Sequence, residues 1–122
     1  MRPSTKQELI KIINQTIKEQ GYDCDLNFID TSLITDMSHV FDGSKFNGDI
    51  SKWDVSNVEN MCFMFYASDF NGNIEDWDVS KVTDMSFMFY NSKFNGNISN
   101  WGISNIVDTR YMFCSTKVNK DF

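Results

Sequence analysis

The sequence predicts an α+β repeat: a short β-solenoid of four 24-residue coils behind an N-terminal amphipathic helix. Three observations predict it. Trp53–Phe70 reads WDVSNVENMCFMFYASDF and returns 24 residues later as Trp77–Phe94, WDVSKVTDMSFMFYNSKF, with weaker copies at Ile29–Phe46 and Trp101–Val118. The apolar residues of these copies fall into columns one repeat apart. The residues before Asp25 follow a different period, that of a helix. Self-similarity at a period of roughly 20–50 residues marks stacked coils, because no single coil can bury its own apolar set.

The N-terminal segment comes first. Ser4 and Gln7 form a capping-box pattern. Leu9, Ile10, Ile12, Ile13 and Ile17 recur at helical spacing, while Lys6, Glu8, Lys11 and Lys18 face elsewhere. Gly21 is a natural stop, so the spacing predicts a helix over Thr5–Gln20. A helix of this length is marginal alone in water and is expected to lie on the open end of the first coil. Residues 1–25 are thus a capping helix and link, and 26–122 a solenoid, together one domain.

The coils run 26–49, 50–73, 74–97 and 98–121. Their columns are Leu26/Ile50/Ile74/Ile98, Ile29/Trp53/Trp77/Trp101, Ile34/Val58/Val82/Ile106, Met37/Met61/Met85/Thr109, Val40/Met64/Met88/Met112, Phe41/Phe65/Phe89/Phe113 and Phe46/Phe70/Phe94/Val118. Around Val58–Met61 the residues permit a short strand, one per coil, in a narrow parallel sheet. Met61, Met64 and Phe65 suit one helical or 3₁₀ turn facing the core. Asn47-Gly48, Asn71-Gly72 and Asn95-Gly96 predict tight turns with glycine at positive φ. Asp54-Val55-Ser56 and Asp78-Val79-Ser80 read as Asx or Ser turns. The last coil decays, with Gly102 for the aspartate and Asn119-Lys120 for Asn-Gly.

The net charge is −6, unevenly placed. Residues 1–22 hold four bases and two acids, residues 23–84 thirteen acids and three bases, and residues 85–122 come to +2. This balance argues against direct nucleic-acid binding, which needs a basic footprint. Three cysteines (Cys24, Cys62, Cys114) without a CxxC pair suit a reducing compartment better than a disulfide framework. With no signal-peptide pattern and no run of transmembrane length, the expected location is the cytoplasm.

Few residues point to chemistry. His39 shares a column with Phe63, Phe87 and Tyr111, which reads as a position for any ring rather than a metal ligand. The Asp30/Asp54/Asp78 column invites a Ca²⁺ reading, but turn capping explains it without an ion. Glu75-Asp76 reads as a solvated corner, since neighbours on an extended segment point apart. Cys62 and Cys114 have no basic neighbour in sequence to activate them. No catalytic residue, cofactor or metal site is assigned, and no enzymatic activity is expected.

Two surfaces remain. With Met61, Met64 and Phe65 inward, Phe63 and Tyr66 face another way, and Phe87, Tyr90 and Tyr111 continue them as a ladder of rings along one edge. The acid-rich stretch, with Asp54, Glu59, Glu75, Asp76 and Asp78, offers a face for a basic partner.

The stretches Phe46–Phe65, FNGDISKWDVSNVENMCFMF, and Phe70–Phe89, FNGNIEDWDVSKVTDMSFMF, resemble the BspA-like leucine-rich-repeat family, in the branch repeating F-x-G-x-I-x-x-W-D-V-S-x-V-x-x-M-x-x-M-F. The resemblance covers residues 26–118. It implies a curved, leucine-rich-repeat-like solenoid that acts by binding proteins and carries no catalytic residues. The expected function is therefore non-enzymatic protein binding through the ring ladder and acidic face. The alternative is a small acidic inhibitor encoded by a phage or mobile element, anti-CRISPR-like, that occupies the basic channel of a nucleic-acid enzyme. The expected partner is another protein with a basic surface, neither nucleic acid nor membrane, with a possible homodimer through the C-terminal coil from Arg110 to Phe122.

Overall fold

The computed structural model describes residues 1–103, 106 and 108–113. Helix α1 spans Lys6–Gln20. Its N-cap is Thr5, whose hydroxyl accepts the Glu8 N–H at 3.1 Å, while the Glu8 carboxylate accepts the Ser4 N–H at 2.9 Å. The cap thus falls one residue later than the Ser4/Gln7 pattern predicts. Gly21, at φ 96°, closes the helix by donating its N–H to the Ile17 carbonyl at 2.7 Å. Leu9 and Ile13 are buried, with Ile10, Ile12 and Ile17 packed partly against the same core. Lys6 does not face away as the periodicity suggests. Its Nζ donates to Ser38 Oγ at 2.9 Å and lies 3.4 Å from Asp36 Oδ2, tying α1 to the first coil.

The expected parallel strands do not form. Among the described residues there is no strand and no sheet, so the β-solenoid is corrected to a stack of turns joined by isolated parallel bridges. From coil to coil the bridges run Asp36 to Asn60, Asn60 to Asp84 and Asp84 to Asp108, and Asp25 of the link bridges Asp49. The side chains of Asp36, Asn60, Asp84 and Asp108 stop the strand. Each Oδ1 accepts the N–H two residues on, from Ser38, Cys62, Ser86 and Arg110, at 2.9–3.1 Å. Such an Asx turn bends the backbone out of the extended path directly after the bridge.

The helical or 3₁₀ turn expected at Met61–Phe65 is also absent. In its place the backbone divides its hydrogen bonds by parity. The N–H groups of Met61, Phe63, Phe65 and Ala67 donate to the next coil's Asp84, Ser86, Met88 and Tyr90 carbonyls at 2.9–3.0 Å. Those of Met64, Tyr66 and Ser68 donate to carbonyls three residues back at 3.2 Å. Residues 37–44 and 85–92 repeat the pattern. The one described 3₁₀ turn, Ser99–Trp101, lies in the fourth coil.

The core columns stack as the repeat predicts. Phe41, Phe65 and Phe89 are buried with successive ring centroids 5.6 Å apart and planes within 3°, and Phe113 continues at 6.2 Å. Phe46, Phe70 and Phe94 form a second stack at 6.1 and 6.3 Å. Val118 lies outside the described residues. The indole N–H groups of Trp53, Trp77 and Trp101 each donate to a carbonyl of the preceding coil, Leu26, Ile50 and Ile74, at 2.9–3.1 Å. The first coil has no predecessor to accept such a bond, and isoleucine, Ile29, stands there.

The Asn-Gly turns hold a correction. Gly48, Gly72 and Gly96 do not take positive φ. Glycine is required there because a Cβ would collide. At Gly72 it would lie 2.7 Å from the Phe70 ring and 3.1 Å from the Gly48 carbonyl oxygen, and at Gly48 only 1.8 Å from the Cys24 carbonyl oxygen.

Phe65→Ala is expected to destabilise the fold by about 3–5 kcal/mol, through lost transfer energy and the cavity left behind. Gly72→Ala is expected to cost about 1–3 kcal/mol by overpacking, and Gly48→Ala more, because its obstacle is backbone. Urea unfolding midpoints measure all three.

Candidate functional site

The ring ladder follows from a left-handed backbone. His39, Phe63, Phe87 and Tyr111 have φ of 64°, 58°, 58° and 57°. Each thus turns its side chain away from the inward Met37, Met61 and Met85 two residues before, and the inward phenylalanines two residues after. The column four residues on, Gly43, Ala67 and Asn91, is also left-handed, at 66°, 51° and 53°. For an L-residue this conformation costs roughly 1–2 kcal/mol, and for a ring side chain it is unusual. The fold meets that cost twice in each of the second and third coils, at Phe63 and Ala67 and at Phe87 and Asn91.

The structure brings all five sequence-predicted rings together. Phe63 stacks on Phe87 at 4.7 Å and 8°, and Phe87 on Tyr111 at 4.9 Å. Tyr66 stacks on Tyr90 at 5.4 Å as a second rail, tilted against Phe63 and Phe87 at 5.2 and 5.5 Å. Phe63, Tyr66, Phe87 and Tyr90 are half-buried and Tyr111 is 61% exposed. A sixth member is His39, which the sequence reading puts in this column as a ring position but not on the ladder. His39 stacks on Phe63 at 4.8 Å and 8°, its Nδ1 2.8 Å from Asp42 Oδ2. Its shared column was the signal. Because the rings stack face to face, those between the ends offer edges outward, and a ring edge carries the positive side of the quadrupole.

The acidic candidates occupy other positions of the coil sequence than the rings. Asp54 and Asp78 are exposed, and each Oδ1 accepts the N–H of the serine two residues on, Ser56 and Ser80, at 3.0 Å. Asp30 does the same for Ser32, at 3.0 Å, so the column caps turns. Glu59 is exposed, and its carbonyl accepts the Thr83 N–H at 2.9 Å. Glu75 is half-buried and Asp76 exposed. Among the described residues none of Asp54, Glu59, Glu75, Asp76 and Asp78 makes an ion pair.

The turn carboxylates are held in their charged form. Hydrogen bonds from Ser32 and then Arg2 hold the Asp30 carboxyl far below the usual range, and bonds from Ser80 lower Asp78. Asp49 is lowered by the Ser51 N–H and Asp108 by the Arg110 side chain. At Asp36 burial pushes upward, but bonds from Ser38 and the charge of Lys6 outweigh it. Burial raises the thiols of Cys24 and Cys62, which makes them poor nucleophiles. Cys114 lies outside the described residues, as does most of the Arg110–Phe122 segment read as a self-pairing edge. Among the described residues no three His, Cys, Asp or Glu side chains converge as a metal site, and no helix is long and apolar enough to cross a membrane.

The family model described as "Mycoplasma protein of unknown function, DUF285" matches residues 10–122. The chain belongs to this family. The DUF285 match begins inside α1 and runs through all four repeats, so part of the capping helix falls within the family unit. No curated protein and no solved structure matches the chain significantly.

Two outcomes follow for this DUF285 chain. Ala67→Gly is expected to raise stability by roughly 0.5–1 kcal/mol in urea unfolding, since relief of left-handed strain exceeds the entropy glycine adds to the unfolded chain. The lowered aspartates bind protons more weakly folded than unfolded. Their contribution is therefore complete above about pH 4 and is lost as pH falls through the folded-state values. The unfolding midpoint should drop with acid over that window. Asp30→Asn with Asp78→Asn, which keeps the acceptor oxygen and removes the titration, should flatten the drop.

Proposed function

We propose that this DUF285 protein is a non-enzymatic protein-binding module of the BspA-like repeat type, acting through its ring ladder and its unpaired acids. The observation that carries the reading is the left-handed column His39, Phe63, Phe87, Tyr111. Glycine or asparagine would hold this backbone with less strain, and rings stand there four times in succession. Core packing does not explain them, since Met61, Met64 and Phe65 already fill the interior of the same turn. A contiguous, half-exposed aromatic strip suits a partner surface.

The geometry limits what that partner offers. Ring edges repel a cation and favour the flat π-face or aliphatic surface of a partner residue. Basic groups are recognised by Asp54, Glu59, Glu75, Asp76 and Asp78 instead. The partner is thus a protein with an apolar patch beside a basic one, the first setting dissociation and the second the encounter rate.

The test is affinity capture from host lysate with wild type and two variants whose circular dichroism matches it. Phe63→Ser with Phe87→Ser should lose the captured protein. Asp76→Lys with Asp78→Lys should weaken capture mainly at low salt, because exposed charges are screened beyond roughly 8 Å at physiological ionic strength. Capture indifferent to the ladder variant would reject the reading.

A further inference from the structure

We infer that Asn95-Gly96 is a site of spontaneous self-modification, where the Gly96 backbone nitrogen attacks the Asn95 carboxamide and deamidates it, and that the stack protects the two equivalent Asn-Gly pairs. The inference is independent of the ring ladder. The three pairs are matched in sequence: Asn47, Asn71 and Asn95 each follow a phenylalanine and precede a glycine, so a large difference in their rates comes from the fold. All three asparagines are exposed. Gly48, Gly72 and Gly96 have no Cβ to hinder the attack, and their N–H groups donate to no described residue. What differs is the hold on each carboxamide.

The Asn47 Oδ1 accepts the Asn71 N–H at 2.8 Å, and the Asn71 Oδ1 accepts the Asn95 N–H at 2.9 Å. The Asn95 side chain, last of this row, bonds to no described residue. Gly48 is restrained further, since Asn47 and Asp49 on either side of it donate their N–H groups to the Tyr22 and Cys24 carbonyls at 2.8 and 3.2 Å. Attack requires the side chain and the following peptide to rotate toward one another, and a bonded carboxamide has to break its bond first. One such bond is worth roughly fivefold in rate. Water reaches Asn95 through a groove of about 280 Å³ lined by Asn71, Gly72, Asn73, Asn95, Gly96 and Asn97. The step balances with water as its only co-reactant. The Gly96 nitrogen gives its proton to solvent base and bonds to Asn95 Cγ; the Cγ–Nδ2 bond breaks, and ammonia leaves with a proton from water. Water then opens the cyclic imide at either carbonyl, which leaves aspartate or isoaspartate and one more negative charge.

Incubation of the full chain at mildly alkaline pH, folded and in urea, reads the three rates when each Asn-Gly peptide is followed by digestion and mass spectrometry. In the folded chain Asn95 is expected to deamidate at least about fivefold faster than Asn71, with Asn47 slowest and isoaspartate among the products. In urea the three rates should converge. Asn95→Gln should remove the earliest acidic species seen on ion exchange. Equal rates in the folded chain, rates that stay apart in urea, or an Asn95 that survives folded incubation intact would overturn the inference. So would aspartate formed without isoaspartate, which excludes attack by the backbone, or an early acidic species that persists in the Asn95→Gln variant.

Discussion

The structure depends on how its backbone hydrogen bonds are divided. From Met61 to Ser68 the odd residues give their N–H groups to the next coil, and Met64, Tyr66 and Ser68 give theirs to a carbonyl three residues back. A strand would send bonds alternately to two neighbours, and a helix would keep all of them. This segment does half of each, so it is neither. The split satisfies buried backbone without a sheet, and it requires a left-handed residue within each Met–Met or Phe–Ser turn. Phe63 and Ala67 occupy those positions at φ 58° and 51°. The outward ladder is therefore a consequence of how the interior closes its backbone bonds.

Stacking and hydrogen bonding reinforce one another. A Phe column at 5.6 Å and a bond row at 2.9–3.0 Å both require the same translation from coil to coil. The tryptophans pack against this column and tie the coils again, each indole N–H reaching the preceding coil's carbonyl. Gly72 lets Phe70 lie flat beneath its own chain, since any side chain there would strike the ring. These contacts join consecutive coils, so loss of one large core side chain disturbs the coil on either side.

The columns, the burial of Phe65 and Trp77, and α1 were legible from the 24-residue period and the helical spacing alone, because both follow from which side chains must avoid water. Backbone conformation was less legible. Val58–Met61 reads as strand by propensity, but Asn60 accepts the Cys62 N–H and ends the strand at one residue. Asn-Gly reads as a positive-φ turn, whereas the glycine answers to a crowding ring two residues earlier. Left-handed phenylalanine is hidden to propensity, since nothing local favours it; Gly43 and Asn91 four residues beyond the ring column were the nearest hint. The ladder itself was readable, because inward neighbours on both sides leave Phe63 only one way to point.

A stack of like coils also sets the pattern of its surface. Translation by one coil repeats each side chain about 5 Å away, so the surface fills with rows of like groups: rings over rings, Asn47, Asn71 and Asn95 linked amide to backbone at 2.8–2.9 Å, and aspartates each bound into its own turn. Among the acids, Asp54 and Asp78 are each bound into an Asx turn, whereas Glu59 and Asp76 stand exposed outside such turns. The ladder is one of these rows, and it is set by the same backbone pattern that closes the hydrogen bonds of the interior.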